Sequence, residues 1–144
     1  MKIAVKALRT GARLPTAGSL YAAGYDLYAC TEAPVEIPPH ATAMIGTGLA
    51  IAVPEGYFGA VFARSGLAAK QGLRPANCVG VCDSDYRGEY IVALHNDSAE
   101  TRIVSHGDRI AQLVVLPCAA AEFEAVDALP DTERSDGGFG STGV

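Results

Sequence analysis

The residues best suited to chemistry lie between Asn77 and Tyr90, in the run NCVGVCDSDYRGEY. Apolar Val79 and Val81, with Gly80, lead into Asp83, and Arg87-Gly88 marks a turn, so the run reads as a strand–turn–strand hairpin. Asp83 and Tyr86 fall near its bend. A plain hairpin with an acidic tip has much the same composition. What sets this one apart is a carboxylate, an aromatic ring and the Asn77 amide in close succession. A carboxylate so placed can accept a proton from water during phosphoryl chemistry, a contribution on the order of 10²–10⁴ in rate. A second group, Arg64-Ser65-Gly66, offers a bidentate anion fork, a hydroxyl and a backbone that a ligand can approach. Taken alone, such a triplet is often only a helix start. Gln112 is a polar residue inside the apolar run GDRIAQLVV; if Ile110 and Leu113 are buried it needs a partner, which a water or a substrate oxygen would supply. Asp26, in Gly24-Tyr25-Asp26-Leu27, sits at a strand entrance and suits a metal-bound water.

The end of the chain adds a fifth group. Arg134 to Val144 reads RSDGGFGSTGV, four of its eleven residues glycine. It has too little apolar surface to form a core of its own. Yet Arg134, the amides around Gly138, the hydroxyls of Ser141 and Thr142 and the ring of Phe139 are the parts needed to fold over a phosphorylated nucleoside. A disordered glycine-serine tail would have a similar composition.

These groups need a scaffold. The apolar pattern has mostly period two, which predicts strands at 2–8, 26–30, 35–37, 41–46, 49–53, 57–63, 78–82, 89–96, 101–104, 109–116 and 122–126. Pro38-Pro39, Pro54-Glu55-Gly56 and His106-Gly107-Asp108 read as turns between them. Many short strands with little helix indicate an all-β sandwich or barrel. One helix is expected at 66–71, with Ser65 as N-cap and Gly72 as its stop. A core over residues 1–126 and an arm over 127–144 follow from the fading of the apolar pattern after Val126.

Bulk properties narrow the function. At 144 residues the chain is long enough for one real core. A net charge of -5 argues against a protein that coats nucleic acid, whose affinity rests on clustered Lys and Arg. A small polyanion would then need a focused site with local arginines, amides and a divalent cation. No apolar run approaches the roughly 20 residues of a membrane span, and the N-terminus meets charge too early for a signal peptide. Cys30, Cys78, Cys82 and Cys118 form no C-x-x-C pair and read as free thiols of a reducing cytoplasm. The histidines are scattered and suggest no metal cluster.

The five groups occur together and in order: AGYDLYA at Ala23–Ala29, RSGLAAKQGL at Arg64–Leu73, NCVGVCDSDYRGEY at Asn77–Tyr90, GDRIAQLVV at Gly107–Val115 and RSDGGFGSTG at Arg134–Gly143. In this the chain resembles the trimeric deoxyuridine triphosphatase (dUTP diphosphatase) family over essentially its whole length. One departure is visible: the family usually has Gly directly after the last-motif Arg, and here Ser135 stands there.

The resemblance implies a jelly-roll-like homotrimer with a flexible C-terminal arm. It also implies hydrolysis of dUTP to dUMP and pyrophosphate, which keeps uracil out of DNA and supplies dUMP for thymidylate synthesis. By resemblance Asp83 is the general base, and Gln112 holds the same water from the other side. Arg64, Ser65, Gly66 and Gln112 line the phosphates, Mg²⁺ bridges them, and Asp26 holds that ion through its waters. Asn77 and the backbone of Cys78, Val79 and Gly80 read uracil, Tyr86 lies under the deoxyribose, and Phe139 stacks on the base. Arg134, Gly138, Ser141 and Thr142 close over the phosphates. The active sites lie between subunits, each completed by an arm from another. Two readings on the same fold stay open at this level, a deaminase of deoxycytidine triphosphate and a nucleotide-sensing module. Neither nucleic acid nor membrane is an expected partner.

Overall fold

The computed structural model describes residues 1–137; Gly138, Phe139, Ser141 and Thr142 lie outside the described residues. The period-two segments become short strands: β1 (Ala4–Ala7), β2 (Thr16–Ala17), β3 (Tyr25–Tyr28), β4 (Val35–Ile37), β5 (Thr42–Gly46), β6 (Leu49–Ala52) and β7 (Tyr57–Phe62). Helix α1 (Ser65–Gln71) intervenes, followed by β8 (Leu73–Pro75), β9 (Val79–Cys82), β10 (Ile91–Asn96), β11 (Arg102–Val104) and β12 (Arg109–Pro117). Every pairing is antiparallel. The largest sheet runs β2-β3-β12-β7-β9, beside the order β5-β10-β8 and the pairs β1-β6 and β11-β4. The all-β expectation holds.

Leu27, Ile37, Ile45, Leu49, Ile51, Leu73, Leu94 and Ile110 are fully buried and form the centre of the core. The alternation of side chains then assigns the faces of the largest sheet. Leu27, Leu113 and Val61 turn into the core. Their neighbours Asp26, Gln112, Phe62 and Val79 share one register row on the opposite face. A polar pair on an otherwise apolar strand is therefore the outward half of a regular pattern.

Four expectations change. The hairpin expected over 77–90 does not form: β9 pairs with β7 in the largest sheet while β10 pairs with β5 and β8 in another, so residues 83–90 are a loop between sheets. The strand expected at 122–126 does not form among the described residues, and Phe123 is 95% exposed. Strands β2 and β8 were not expected; two or three residues give no measurable period, and neighbouring edges alone hold them. Ser65 is the first residue of the helix and not its cap. The cap is Arg64, extended at φ -84° and ψ 125°, and its side chain makes no capping hydrogen bond. Gly72 stops the helix as expected, in the left-handed region at φ 69°.

Candidate active site

β3, β12 and the end of β7 build a polar cleft lined by Gly24, Asp26, Arg64, Ser65, Arg109 and Gln112, among others. Arg64 Nε donates to Asp26 Oδ1 at 2.7 Å, and Arg109 Nη1 to Asp26 Oδ2 at 3.3 Å. One carboxylate thus holds two guanidinium groups, and the local sum is positive although the chain is acidic. Gln112 Nε2 donates to Ala63 O at 2.9 Å, so part of its need is met by backbone and not by water or substrate. That bond turns Oε1 toward Gly24, where any Cβ would overlap it. Ser65 and Gly66 are exposed at the rim, and nothing stands within 4 Å of the place a Gly66 Cβ would occupy. The first N–H groups of α1 have no carbonyl to meet within the helix. The cleft can therefore take an anion with several oxygens.

The loop that carries the chain from β9 to β10 bounds a second, apolar-floored cleft of about 390 Å³. Asn77, Gly80, Asp83, Tyr86 and Tyr90 line it. The Asp83 carboxylate has no hydrogen-bond or ion-pair partner among the described residues, so it is free to act on a ligand. Gly80 leaves open the space beside Asn77 Nδ2, 3.5 Å from where its Cβ would stand. Cys78 is exposed and adopts φ 62°. The N–H groups of Cys78 and Val79 are given to Pro75 O and Asn77 O, and Gly80 stands opposite Val61 in the β7–β9 ladder; the Asn77 side chain makes no hydrogen bond among the described residues.

Tyr86 folds over Gly88 and donates from its hydroxyl to Glu89 O at 3.1 Å. Arg87 caps the loop between β9 and β10, donating to Ser84 O at 2.7 Å and Tyr86 O at 2.9 Å. Arg74 makes a bidentate pair with Asp97 and also holds Pro75 O, bracing the chain that leads into β9. Burial raises the Cys82 thiol and pushes the Tyr90 phenol far above its ordinary value. Neither group is suited to proton transfer at neutral pH.

The two clefts share no lining residue. Asp83 and Gln112, expected on one water, are therefore not brought together within a single chain. Of the arm, Arg134 is described: it lies in a turn, donating through Nε to Gly137 O at 2.8 Å. Ser135 there has φ 46°, in the left-handed region that a Gly would occupy more easily. Sequence reasoning missed Arg109, although its place inside the GDRIAQ run was a usable signal. It also missed Arg9 and Glu89, which are 80 residues apart and carry none.

Among the described residues no three His, Cys, Asp or Glu side chains gather as a metal cage. Among the described residues Asp26 is the single carboxylate lining the polar cleft. This donor set fits an ion that keeps its waters and binds mainly to phosphate oxygens, as Mg²⁺ does, and does not fit a transition metal held by protein alone.

Comparison with known proteins agrees. The family model described as dUTPase matches residues 10–143. The deoxyuridine 5'-triphosphate nucleotidohydrolase of Desulfitobacterium hafniense (strain DSM 10664 / DCB-2) is 50% identical over 145 residues, spanning 100% of this chain and 96% of that one. The protein of the same name from Syntrophotalea carbinolica is 47% identical over 141 residues, 98% of this chain and 96% of its own. Among solved structures, the Staphylococcus bacteriophage 80alpha dUTPase with dUPNHPP superposes with a TM-score of 0.87, at 30% identity and over 99% of both chains.

Proposed function

The chain belongs to the dUTPase family and hydrolyses dUTP, and we propose that it does so at a site composed from more than one copy of itself. The observation that carries this reading is the Asp83 carboxylate, unpartnered among the described residues, in the cleft beside the β9–β10 loop and apart from a positive cleft suited to phosphates. That loop of one copy facing the polar cleft of another would bring the two halves together. The outward face of the largest sheet supports such contact: Phe62, Val79, Val81 and Val114 lie on it, and Val81 is 65% exposed. Faces of this kind are normally covered. Phe123 and Leu129, 95% and 82% exposed, need cover as well. We infer a homotrimer on this basis together with the family resemblance.

In this arrangement Asp83 accepts the proton of a water directed at the α-phosphorus, the water oxygen forms the new P–O bond, and pyrophosphate departs. Gln112 of the facing copy orients that water through Oε1. Arg64, Ser65 and Gly66 receive phosphate oxygens, with Arg109 beside them. Mg²⁺, when bound, neutralises phosphate charge, and Asp26 is the residue placed to hold its waters. Asn77 and the backbone of Cys78, Val79 and Gly80 read the uracil edge; a mismatched polar edge left unpaired can cost a substrate about 10⁴–10⁵ in specificity. Tyr86 lies under the deoxyribose and leaves no room for a 2′-hydroxyl. Arg134, with Gly138, Phe139, Ser141 and Thr142, closes the site and excludes bulk water. The four thiols free of disulfides fit a cytoplasmic setting. No helix of the described residues is long and apolar enough to cross a membrane.

The test is product analysis. Pyrophosphate should appear from dUTP with Mg²⁺, and little from dCTP, dTTP or UTP; dUTP formed from dCTP would establish a deaminase instead. Asp83→Asn should keep affinity for a non-hydrolysable dUTP analogue and lose turnover, and turnover within tenfold of the parent would remove Asp83 as the base. Truncation after Glu133 should leave the fold and cut kcat sharply.

A further inference from the structure

A second carboxylate, that of Glu89, lines the cleft beside the β9–β10 loop and has no part in the reaction above. Glu89 Oε1 accepts the backbone N–H of Gly48 at 2.7 Å and pairs with Arg9 Nη2. Its carboxylate is thereby committed, unlike that of Asp83. The carbonyl of the same residue accepts the Tyr86 hydroxyl at 3.1 Å. Glu89 thus links the N-terminal segment and the β5–β6 turn to the ring under the sugar.

The surroundings are shaped for this link. A Cβ on Gly46 would overlap both Arg9 Nη2 and Glu89 Oε1, and a Cβ on Gly88 would overlap the Tyr86 ring. The turn that anchors Glu89 is itself fixed. Leu8 N–H donates to Gly48 O at 2.7 Å, and Thr47 Oγ1 donates to Tyr90 O at 2.7 Å. The ion pair is part-exposed, with side-chain exposures of 42% for Arg9 and 23% for Glu89, so its use as a general source of stability is small. Its place in the connection to Tyr86 is specific.

We propose that Arg9 and Glu89 form a strut that sets the height of Tyr86 in the cleft, which makes both of them positioning residues for the choice of deoxyribose over ribose. The inference rests on Tyr86 being the plate under the sugar. Steric exclusion of one hydroxyl depends on the position of that ring, so a small outward shift admits ribose while dUTP still binds.

The experiment measures kcat/KM for dUTP and UTP with Mg²⁺ on the full-length enzyme and on Arg9→Ala, Glu89→Ala and Tyr86→Ala, alongside thermal midpoints. Arg9→Ala and Glu89→Ala are expected to raise the UTP-to-dUTP ratio of kcat/KM at least fivefold, and Tyr86→Ala to raise it further. If Tyr86→Ala leaves the ratio unchanged, the plate reading fails and the strut with it. If Tyr86→Ala raises the ratio but the other two only lower the thermal midpoint, the strut alone is overturned. Should Glu89→Ala not fold, Arg9→Ala carries the same test, because it removes only the exposed end of the link.

Discussion

Arg64 Nε donates to Asp26 Oδ1 across 2.7 Å, so the guanidinium best placed for a phosphate is held by a carboxylate before any substrate arrives. Asp26 also receives Arg109, and its side chain is only 14% exposed. It therefore fixes the distance between two cations that would otherwise repel each other. Asp26→Ala should free both guanidinium groups to meet phosphate directly. Affinity for a dUTP analogue in EDTA is expected to hold or tighten, while kcat with Mg²⁺ falls at least tenfold and more Mg²⁺ is needed for half-maximal rate. Calorimetry in EDTA and a Mg²⁺ titration of the rate read the two effects apart. An unaltered Mg²⁺ dependence would take Asp26 out of the metal's surroundings.

Gly24 has a purely steric reason to be glycine. Its backbone is not left-handed, yet a Cβ would overlap Gln112 Oε1. Gly24→Ala must push the Gln112 amide off the Ala63 carbonyl or out of the cleft. Since misplacement by about 1 Å can cost on the order of 10² in rate, kcat should drop by roughly that factor with KM changed little. Gln112→Ala should cost no less, and the double variant should be no worse than Gln112→Ala alone. Additive losses would show that Gly24 serves something other than Gln112.

The positions legible in the sequence were those governed by local rules. The Val79–Cys82 strand follows from alternation, and Gly72 from the left-handed backbone that a helix stop requires. Asp26 and Gln112 were each identified singly, but their pairing across β3 and β12 depends on register, which no short-range pattern fixes. The cap of α1 went to Arg64 because the chain enters the helix one residue earlier than the hydroxyl signal suggests. The 122–126 segment has a strand's alternation but forms no ladder among the described residues, so local preference alone does not make a strand there. Arg9 and Glu89 meet only through the tertiary fold.

The Arg74–Asp97 pair gives a pH signature. The hydrogen bond and charge of Arg74 lower the Asp97 carboxyl below its usual value. A carboxyl with a lowered folded-state value adds stability that is present above its unfolded value, near 4, and disappears as pH falls through the lowered one. Both side chains are substantially exposed, so the amount is small. The thermal midpoint of the parent should exceed that of Asp97→Asn at pH 7, and the gap should close progressively below about pH 4. Arg74→Gln should weaken that pH dependence of the gap, leaving His95, whose Nε2 lies 3.4 Å from Asp97 Oδ1, as the lesser partner. A gap that persists unchanged at pH 2 would mean that Asn cannot replace Asp97 for reasons other than charge.

Tyr90 is 2% exposed, and among the described residues its hydroxyl makes no hydrogen bond of good geometry, the Cys82 thiol being its weak polar neighbour. Leaving a buried hydroxyl unpaired costs about 1–3 kcal/mol. Its ring is needed as the floor of the cleft beside the β9–β10 loop and lies 6.1 Å from that of Tyr86. Tyr90→Phe keeps the ring and removes the unpaired group. The thermal midpoint is therefore expected to hold or to rise by about 2–4 °C, with kcat/KM for dUTP within about threefold of the parent. Tyr90→Ala, which removes the floor, should cost about 3–5 kcal/mol of stability. A loss of more than about 1 kcal/mol in Tyr90→Phe would show that the hydroxyl is paired in solution, most simply to a buried water.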